Sequence, residues 1–275
     1  MTTGPRPDTD AQFSALMGKI SRERGFGCAS YKEKCLRRRI AVRMRAAGVH
    51  TYDRYASVLD SNKHEYDLLL DALTINVTKL FRNWDAFDKV ARTVIPVLWQ
   101  AQQERIRVWS AGCASGEESY SLAILFHRHS RAVREARRLS RVGIIASDID
   151  RRSLMAAARG AYQQQAFADT PEDIRRDYFA ANSPAEVLPE AKALVRFERR
   201  DLLRDGPPEN ELQMIVCRNV IIYFDRGTQE ALFERFHAAL APGGFLVLGK
   251  VETLLGSIRT RFAAIDARAR IFRKL

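Results

Sequence analysis

The sequence predicts an α/β fold, an open and mostly parallel sheet with helices between its strands, preceded by a small all-α segment. Three observations predict it. Apolar residues make up 46% of the 275 residues, enough to bury a sizeable core in one large domain or two modest ones. Residues 11 to about 75 are dense in charge and contain no alternating β-branched run, so they read as helical. From about residue 104, short apolar runs alternate with helical patterns and glycine turns. That rhythm belongs to parallel strands joined by crossover helices.

Taken in order, Met1 to Asp10 is polar and Pro-containing, reads as a disordered lead-in, and lacks the apolar core of a secretory signal. Between Ser30 and Ala46 there are seven basic residues and one acidic one. On a helix, Leu36, Ile40, Met44 and Ala47 fall within about 80° of one another. Lys34, Arg38 and Arg45 fall on the opposite side. Arg43 projects near the apolar stripe, where it either snorkels or makes a specific contact. Leu73 to Asn83, LTINVTKLFRN, reads as a connector, and residues 76–103 as a linker. Strands are expected at Arg105–Ser110, Val142–Ser147, Leu194–Phe197, Leu212–Cys217 and Phe245–Gly249. Helices are expected at Glu117–His129, Arg151–Arg159 and about Asp225–Leu240, with a turn at Ala241-Pro242-Gly243-Gly244. Ala269–Arg273 is placed to close the sheet. The stretch from Ala180 to Leu194 breaks the rhythm and leaves room for a small antiparallel β insertion at about 178–198.

Composition narrows the function. No apolar run reaches the length of a membrane span. Cys28, Cys35, Cys113 and Cys217 show no CxxC spacing and no accompanying His cluster, so zinc and redox motifs are absent and reduced cytosolic thiols are expected. A net charge of +12 favours an acidic partner, whether nucleic acid, anionic lipid or an acidic protein surface. The face bearing Lys34, Arg38 and Arg45 reads first as a solvated surface, the usual fate of a charge run, and second as a docking face for such a partner.

Three further segments carry the chemistry. In RVWSAGCASGEESYSLAILF, Arg107 to Phe126, a strand runs through a turn into a helix, and Gly112 and Gly116 permit close approach to the backbone. The spacing is not GxGxxG, and no P-loop lysine follows. Glu117 and Glu118 stand where a phosphate would otherwise bind, so they suit a cationic ligand such as S-adenosylmethionine, with its sulfonium and ammonium. They also suit plain helix capping. In IIASDID, Ile144 to Asp150, Asp148 ends a second strand about 30 residues after the glycine turn. An acid so placed hydrogen-bonds ribose hydroxyls, whereas Asp150 is better placed to cap the next helix. In VCRNVIIYFD, Val216 to Asp225, a strand delivers Arg218, Asn219 and Tyr223 to the carboxyl edge of the sheet.

The linker motif and these three segments, followed by LAPGGFLVLG, occur together and in the order that resembles the CheR family of chemotaxis receptor methyltransferases. The resemblance covers nearly the whole chain. It implies a Rossmann-like class I methyltransferase sheet with a small helical N-terminal domain and a small antiparallel insertion. It also implies cofactor contacts from Asn76, Thr78 and Arg82 in the linker. Glu118, or less favourably Glu117, would bind the methionyl end, and Asp148 the ribose. Asp201-Leu202 would sit at the adenine, with Gly112, Arg218, Asn219 and Tyr223 completing the site. The implied domains are 1–75 for receptor docking, 76–103 as linker and 104–275 for catalysis. Three departures stand out. Ser119 replaces a usual Pro, Gly249-Lys250-Val251-Glu252 replaces a common Gly-His-Ser-Glu, and Leu255 to Leu275 is short and basic.

The implied reaction esterifies glutamate carboxylates on the cytoplasmic helical domain of chemoreceptors. A carboxylate is ionised near neutral pH, so no general base is required, and Arg82 and Tyr223 are the candidates for aligning it. The expected setting is cytoplasmic, without membrane insertion or nucleic acid. Two alternatives remain. One is a nucleic-acid methyltransferase, suggested by the charge but opposed by Arg218-Asn219-Val220-Ile221, where an Asn/Asp-Pro-Pro-aromatic run would be expected. The other is a non-catalytic adaptor, opposed by the presence of Arg82, Asp148 and Tyr223.

Overall fold

In the computed structural model, residues 10–74, 78–101 and 104–275 are described. Four helices form the N-terminal segment: α1 (Asp10–Arg24), α2 (Glu33–Ala46), α3 (Tyr52–Ser61) and α4 (Lys63–Leu73). Their apolar faces meet in a core of Phe13, Leu16, Ile20, Leu36, Ile40, Tyr55 and Leu69. Thr51 and Asn62 cap α3 and α4 by accepting from the N–H groups of Arg54 and Glu65. Arg43 makes the specific contact, not the snorkelling one. Its Nε and Nη2 donate to Glu65 at 3.1 and 2.5 Å, and the Tyr55 hydroxyl donates to the same carboxylate at 2.8 Å.

The rest of the chain builds the sheet. Helices α5 (Trp84–Lys89) and α6 (Ile95–Gln100), joined through a π-helical turn, precede β1 (Ile106–Ala111). Then come α7 (Glu117–Ala132), β2 (Val142–Asp148), α8 (Arg151–Arg159), β3 (Ala161–Tyr162), α9 (Glu172–Tyr178), β4 (Ala185–Glu186), α10 (Pro189–Lys192) and β5 (Val195–Arg199). The chain ends with β6 (Leu212–Cys217), α11 (Arg226–Ala239), β7 (Leu240–Leu248), β8 (Phe262–Asp266) and β9 (Ile271–Lys274). The main sheet has seven strands in the order β5-β2-β1-β6-β7-β9-β8. The first five are parallel, and β9 and β8 add an antiparallel edge. Every β6 residue is buried, and all but Arg107 of β1 are, as expected for strands covered on both faces. Strand order reverses between β1 and β6, and such a switch opens a ligand crevice beyond the carboxyl ends of the strands.

Three sequence expectations are corrected. The turn expected at Ala241–Gly244 lies inside β7. Leu240 pairs with Leu212 and Phe245 with Met214, so the residues between them form an irregularity within one strand, with Gly243 at φ +71°. Strand β8 went unread because its central residues are largely exposed and show no apolar alternation. The antiparallel insertion pairs Ala161–Tyr162 with Ala185–Glu186. Its first strand therefore precedes the window at 178–198, whose end is β5 of the main sheet. Two-residue strands are too short to display a period of two.

The chain divides into two compact units. The described residues of the helical unit are 10–74 and Tyr223–Thr228, and the sheet unit holds the remainder. The short C-terminal contribution is joined to the helical unit by backbone. Tyr31 bridges Phe224, Lys32 N–H donates to Tyr223 O at 2.8 Å, and Asp225 N–H donates to Ser30 O at 3.0 Å.

Candidate cofactor site

The turn after β1 is shaped by backbone hydrogen bonds to the end of β2. Gly112 and Cys113 N–H donate to Ser147 O at 2.8 and 2.9 Å, and Ala114 N–H donates to Asp148 Oδ2 at 2.9 Å. The other Asp148 oxygen accepts from Asp150 N–H at 2.9 Å. Each carboxylate oxygen keeps a lone pair for a further donor. Burial raises the Asp148 pKa, and the backbone donors at Asp150 and Ala114 oppose it. Asp150 is the cap, accepting from Arg152 N–H and the Ser153 hydroxyl. Gly112, at φ +80°, has no room for a side chain, since a Cβ would lie 2.5 Å from Val220 Cγ2. At Gly112 the turn is therefore in close contact with the Val220 side chain.

Glu117 and Glu118 open α7. Glu118 Oε1 accepts from the Ser110 hydroxyl at 2.9 Å, and Oε2 lies 3.8 Å from Arg218 Nη1. Burial pushes the Glu118 carboxyl up to about 7, with Arg218 opposing. Glu117 is also pushed up to about 7 by burial, while the Ser115 hydroxyl bonds its carboxylate. Arg218 is only 7% exposed. Its Nη2 donates to Arg82 O at 2.8 Å, and its Cζ stands 4.8 Å from the Phe87 ring centroid. Burial lowers the Arg218 pKa, with Glu118 opposing. Arg218 Nε is buried with no hydrogen-bond partner among the described residues.

The described end of the connector, residues 78–83, packs against the start of α7. Phe81 N–H donates to Ser121 Oγ, whose hydroxyl donates to Glu117 O, at 2.8 and 2.6 Å. Leu80 N–H donates to Ala166 O, and Asn83 N–H to Asp169. Phe81 and Asn83 adopt positive φ, which bends the segment so that Arg82 O meets Arg218. Thr78 and Arg82 are half-buried. Asn76 lies outside the described residues.

Beyond β6, Asn219 takes φ +61°. Its N–H donates to Glu252 Oε2 at 2.9 Å. Asp201 and Leu202 follow β5, next to the β2 end, where Arg200 N–H donates to Asp148 O. The Asp201 carboxylate accepts from Leu203 N–H. Tyr223 groups with the helical unit, where Arg39 Cζ lies 5.3 Å from its ring centroid. In that unit Lys34, Arg38 and Arg45 are all exposed. Sequence reasoning missed Ser110, Ser121 and Glu252. Serines in a helix or strand carry no pattern of their own, and Glu252 was visible only as the acid closing Gly249-Lys250-Val251-Glu252.

The residues fit S-adenosylmethionine. The crevice brings together two carboxylates in a helix's first turn, a carboxylate at the end of the neighbouring strand, and an orphaned buried guanidinium nitrogen. A pyrophosphate would meet repulsion from Glu117 and Glu118, whereas a sulfonium and an ammonium would be attracted. A free carboxylate on the same ligand matches Arg218.

Comparison with known proteins agrees. Residues 76–271 match the family described as CheR methyltransferase, SAM binding domain, and residues 11–74 match the CheR methyltransferase all-alpha domain. A chemotaxis protein methyltransferase of Listeria innocua is 33% identical over 90% of this chain and 92% of its own length. Chemotaxis protein methyltransferase 2 of Pseudomonas aeruginosa is 32% identical over 90% of this chain and 88% of its own. The chemotaxis protein methyltransferase of Salmonella typhimurium is 32% identical over 91% and 86%. With the sheet, the acidic turn and the all-α segment in place, the chain belongs to the CheR family of S-adenosylmethionine-dependent methyltransferases.

Proposed function

We propose that this enzyme transfers the methyl group of S-adenosylmethionine to glutamate side-chain carboxylates of bacterial chemoreceptors, the methyl-accepting chemotaxis proteins, forming methyl esters in sensory adaptation. The relatives named as chemotaxis protein methyltransferases support the substrate class. The observation that carries the chemistry is Glu118, buried between Ser110 and Arg218 at the switch point of the sheet. It favours a cationic ligand in a crevice that offers an acceptor carboxylate no competing phosphate chemistry.

When bound, S-adenosylmethionine supplies an electrophilic methyl on sulfur. Glu118, with Glu117 beside it, holds the cationic end, Asp148 the ribose, and Asp201-Leu202 the adenine side. Asn76, Thr78, Gly112, Arg218 and Asn219 complete the binding set. Arg82 and Tyr223 align the acceptor oxygen, and orientation is the main catalytic contribution because the nucleophile is already charged. Residues 1–75 dock the receptor through Lys34, Arg38 and Arg45, 76–103 link, and 104–275 catalyse. A cytoplasmic setting suits that substrate, and no described helix is long and apolar enough to cross a membrane.

The test offers radiolabelled S-adenosylmethionine with a receptor cytoplasmic fragment and, separately, with DNA. Label on the receptor that mild alkali releases as methanol supports the proposal. Alkali-stable label, or label on DNA alone, overturns it in favour of the reading that the +12 charge suggests. Arg82→Ala and Tyr223→Phe, each alone, are expected to lower turnover more than cofactor affinity. Full turnover in either variant removes that residue from acceptor alignment.

A further inference from the structure

Four backbone N–H groups converge on one buried carboxylate. Glu252 is 4% exposed. Its Oε2 accepts from Gly249 at 2.6 Å and Asn219 at 2.9 Å, and its Oε1 from Ile221 at 2.9 Å and Ile222 at 3.3 Å. Gly249 directly follows β7, while Asn219, Ile221 and Ile222 belong to the loop after β6. The carboxylate therefore fastens the loop after one strand to the end of its neighbour. Within that loop Asn219 sits at φ +61°, a left-handed conformation that asparagine tolerates better than most residues and that the bond from its N–H to Glu252 helps to hold. The fit leaves no slack. A Cβ on Gly249 would lie 2.7 Å from Glu252 Oε2 and 2.8 Å from Asn219 N. Between β6 and the clamped residues stands Arg218, whose guanidinium reaches Glu118 and Arg82 O.

We infer that Glu252 is a positioning residue for methyl transfer, its clamp fixing the loop from which Arg218 and Asn219 meet the cofactor. The inference rests on the proposed cofactor roles of those two residues. A carboxylate suits the task because it is acceptor-only and can serve several N–H donors at once. Glutamine of the same shape replaces one oxygen with an NH2 group, which faces two N–H donors with a third donor. Glu252→Gln therefore tests the clamp with little change in volume.

The experiment measures S-adenosylhomocysteine affinity by calorimetry, thermal melting and amide hydrogen exchange on the full chain. The variants are Glu252→Gln, Asn219→Ala, Arg218→Lys and the Glu252→Gln/Asn219→Ala double. In folded Glu252→Gln, affinity is expected to fall about tenfold or more, with faster exchange confined to the Arg218–Ile222 loop. If Glu252 acts through Asn219, the double variant loses less than the product of the single losses. A purely structural clamp lowers the melting temperature but leaves the affinity of the folded protein unchanged, and that result overturns the inference. Should Glu252→Gln fail to fold, Gly249→Ala, which wedges a methyl between Glu252 and Asn219 without changing either residue's chemistry, is expected to reproduce the affinity loss. Unchanged affinity there also overturns it. Unchanged affinity in both Asn219→Ala and Arg218→Lys indicts the cofactor assignment itself. Losses in those two with none in Glu252→Gln sink the positioning role alone.

Discussion

Asp148 and Glu118 are both buried carboxylates, yet their partners set different expectations. Asp148 is held by backbone N–H groups on both sides, so its side chain is fixed before any ligand arrives. Hydrogen bonds involving a charged group contribute about 1.5–3 kcal/mol. Asp148→Ala should therefore weaken S-adenosylhomocysteine binding about tenfold or more, as read by calorimetry. Unchanged affinity in the folded variant would confine Asp148 to shaping the turn. Glu118 adds a pH dependence. Its carboxyl ionises at about 7 instead of 4.5 because it is buried. The charge proposed to attract the cationic cofactor is thus lost as pH falls through that value, and cofactor affinity should weaken between about pH 8 and about pH 6. Glu118→Gln should lower affinity at the upper end and flatten the profile, leaving only the part that Glu117 contributes. In the unliganded protein the sign reverses. A raised carboxylate pKa means that this group's contribution to stability is full below 4.5 and lost as pH rises through about 7. The melting temperature of Glu118→Gln should therefore gain on that of the wild type as pH rises over this window. Residue types and order made these acids legible in the sequence. Which groups face each of them was less so, because Arg218 meets Glu118, and Ala114 N–H meets Asp148, only through tertiary structure.

At the scale of elements, α2 separates two roles for arginine that the basic run conceals. Arg38 and Arg45 are exposed, whereas Arg43 joins α2 to α4 through a bidentate contact with mostly buried Glu65. Removing Arg43 leaves the Glu65 carboxylate without its countercharge and with the Tyr55 hydroxyl as its remaining side-chain donor. Arg43→Met should cost about 3 kcal/mol in denaturant unfolding, towards the low end for buried pairs because Arg43 retains some exposure. A loss within the range of ordinary surface changes would mean the pair contributes little. Reversing Arg38 and Arg45 together should leave stability and cofactor affinity alone and raise the apparent KM for a receptor fragment. Normal receptor kinetics would return that face to the solvent. The helical period by itself separates the two faces of α2, since Leu36, Ile40 and Met44 are buried where the spacing puts them. Periodicity does not reveal β7 and β8. In β7, a Pro-Gly-Gly run that ordinarily ends an element is carried as an irregularity within a strand. In β8, exposure erases the alternation that reveals strands.

For the whole molecule, the net charge of +12 includes the exposed Lys34, Arg38 and Arg45 of the helical unit. Exposed charges act over a screening length of about 8–10 Å at physiological salt. Receptor methylation should therefore slow as salt rises, chiefly through KM, and the Arg38/Arg45 reversal should remove much of that dependence. A salt effect confined to kcat would contradict docking by charge. The order of motifs along the chain sufficed to read the parallel sheet, because β1 and β2 are each followed by a helix and β6 and β7 are separated by one, and those helices leave their own signature. What the linear order concealed is that the helical unit is not a single stretch of sequence.

Phe224 illustrates what this means for anyone who moves the parts between proteins. Its backbone bridges Tyr31, and its ring lies edge-on to the Tyr31 ring at 5.0 Å, which in turn stacks on Phe26. A chimera that exchanges only residues 10–74 with a relative would pair a foreign Tyr31 segment with the resident Tyr223–Thr228. A graft that carries both pieces keeps the bridge and the aromatic stack native. The transplantable module is therefore two lengths of chain far apart in sequence, and an exchange of the helical unit between relatives has to carry Tyr223–Thr228 together with residues 10–74.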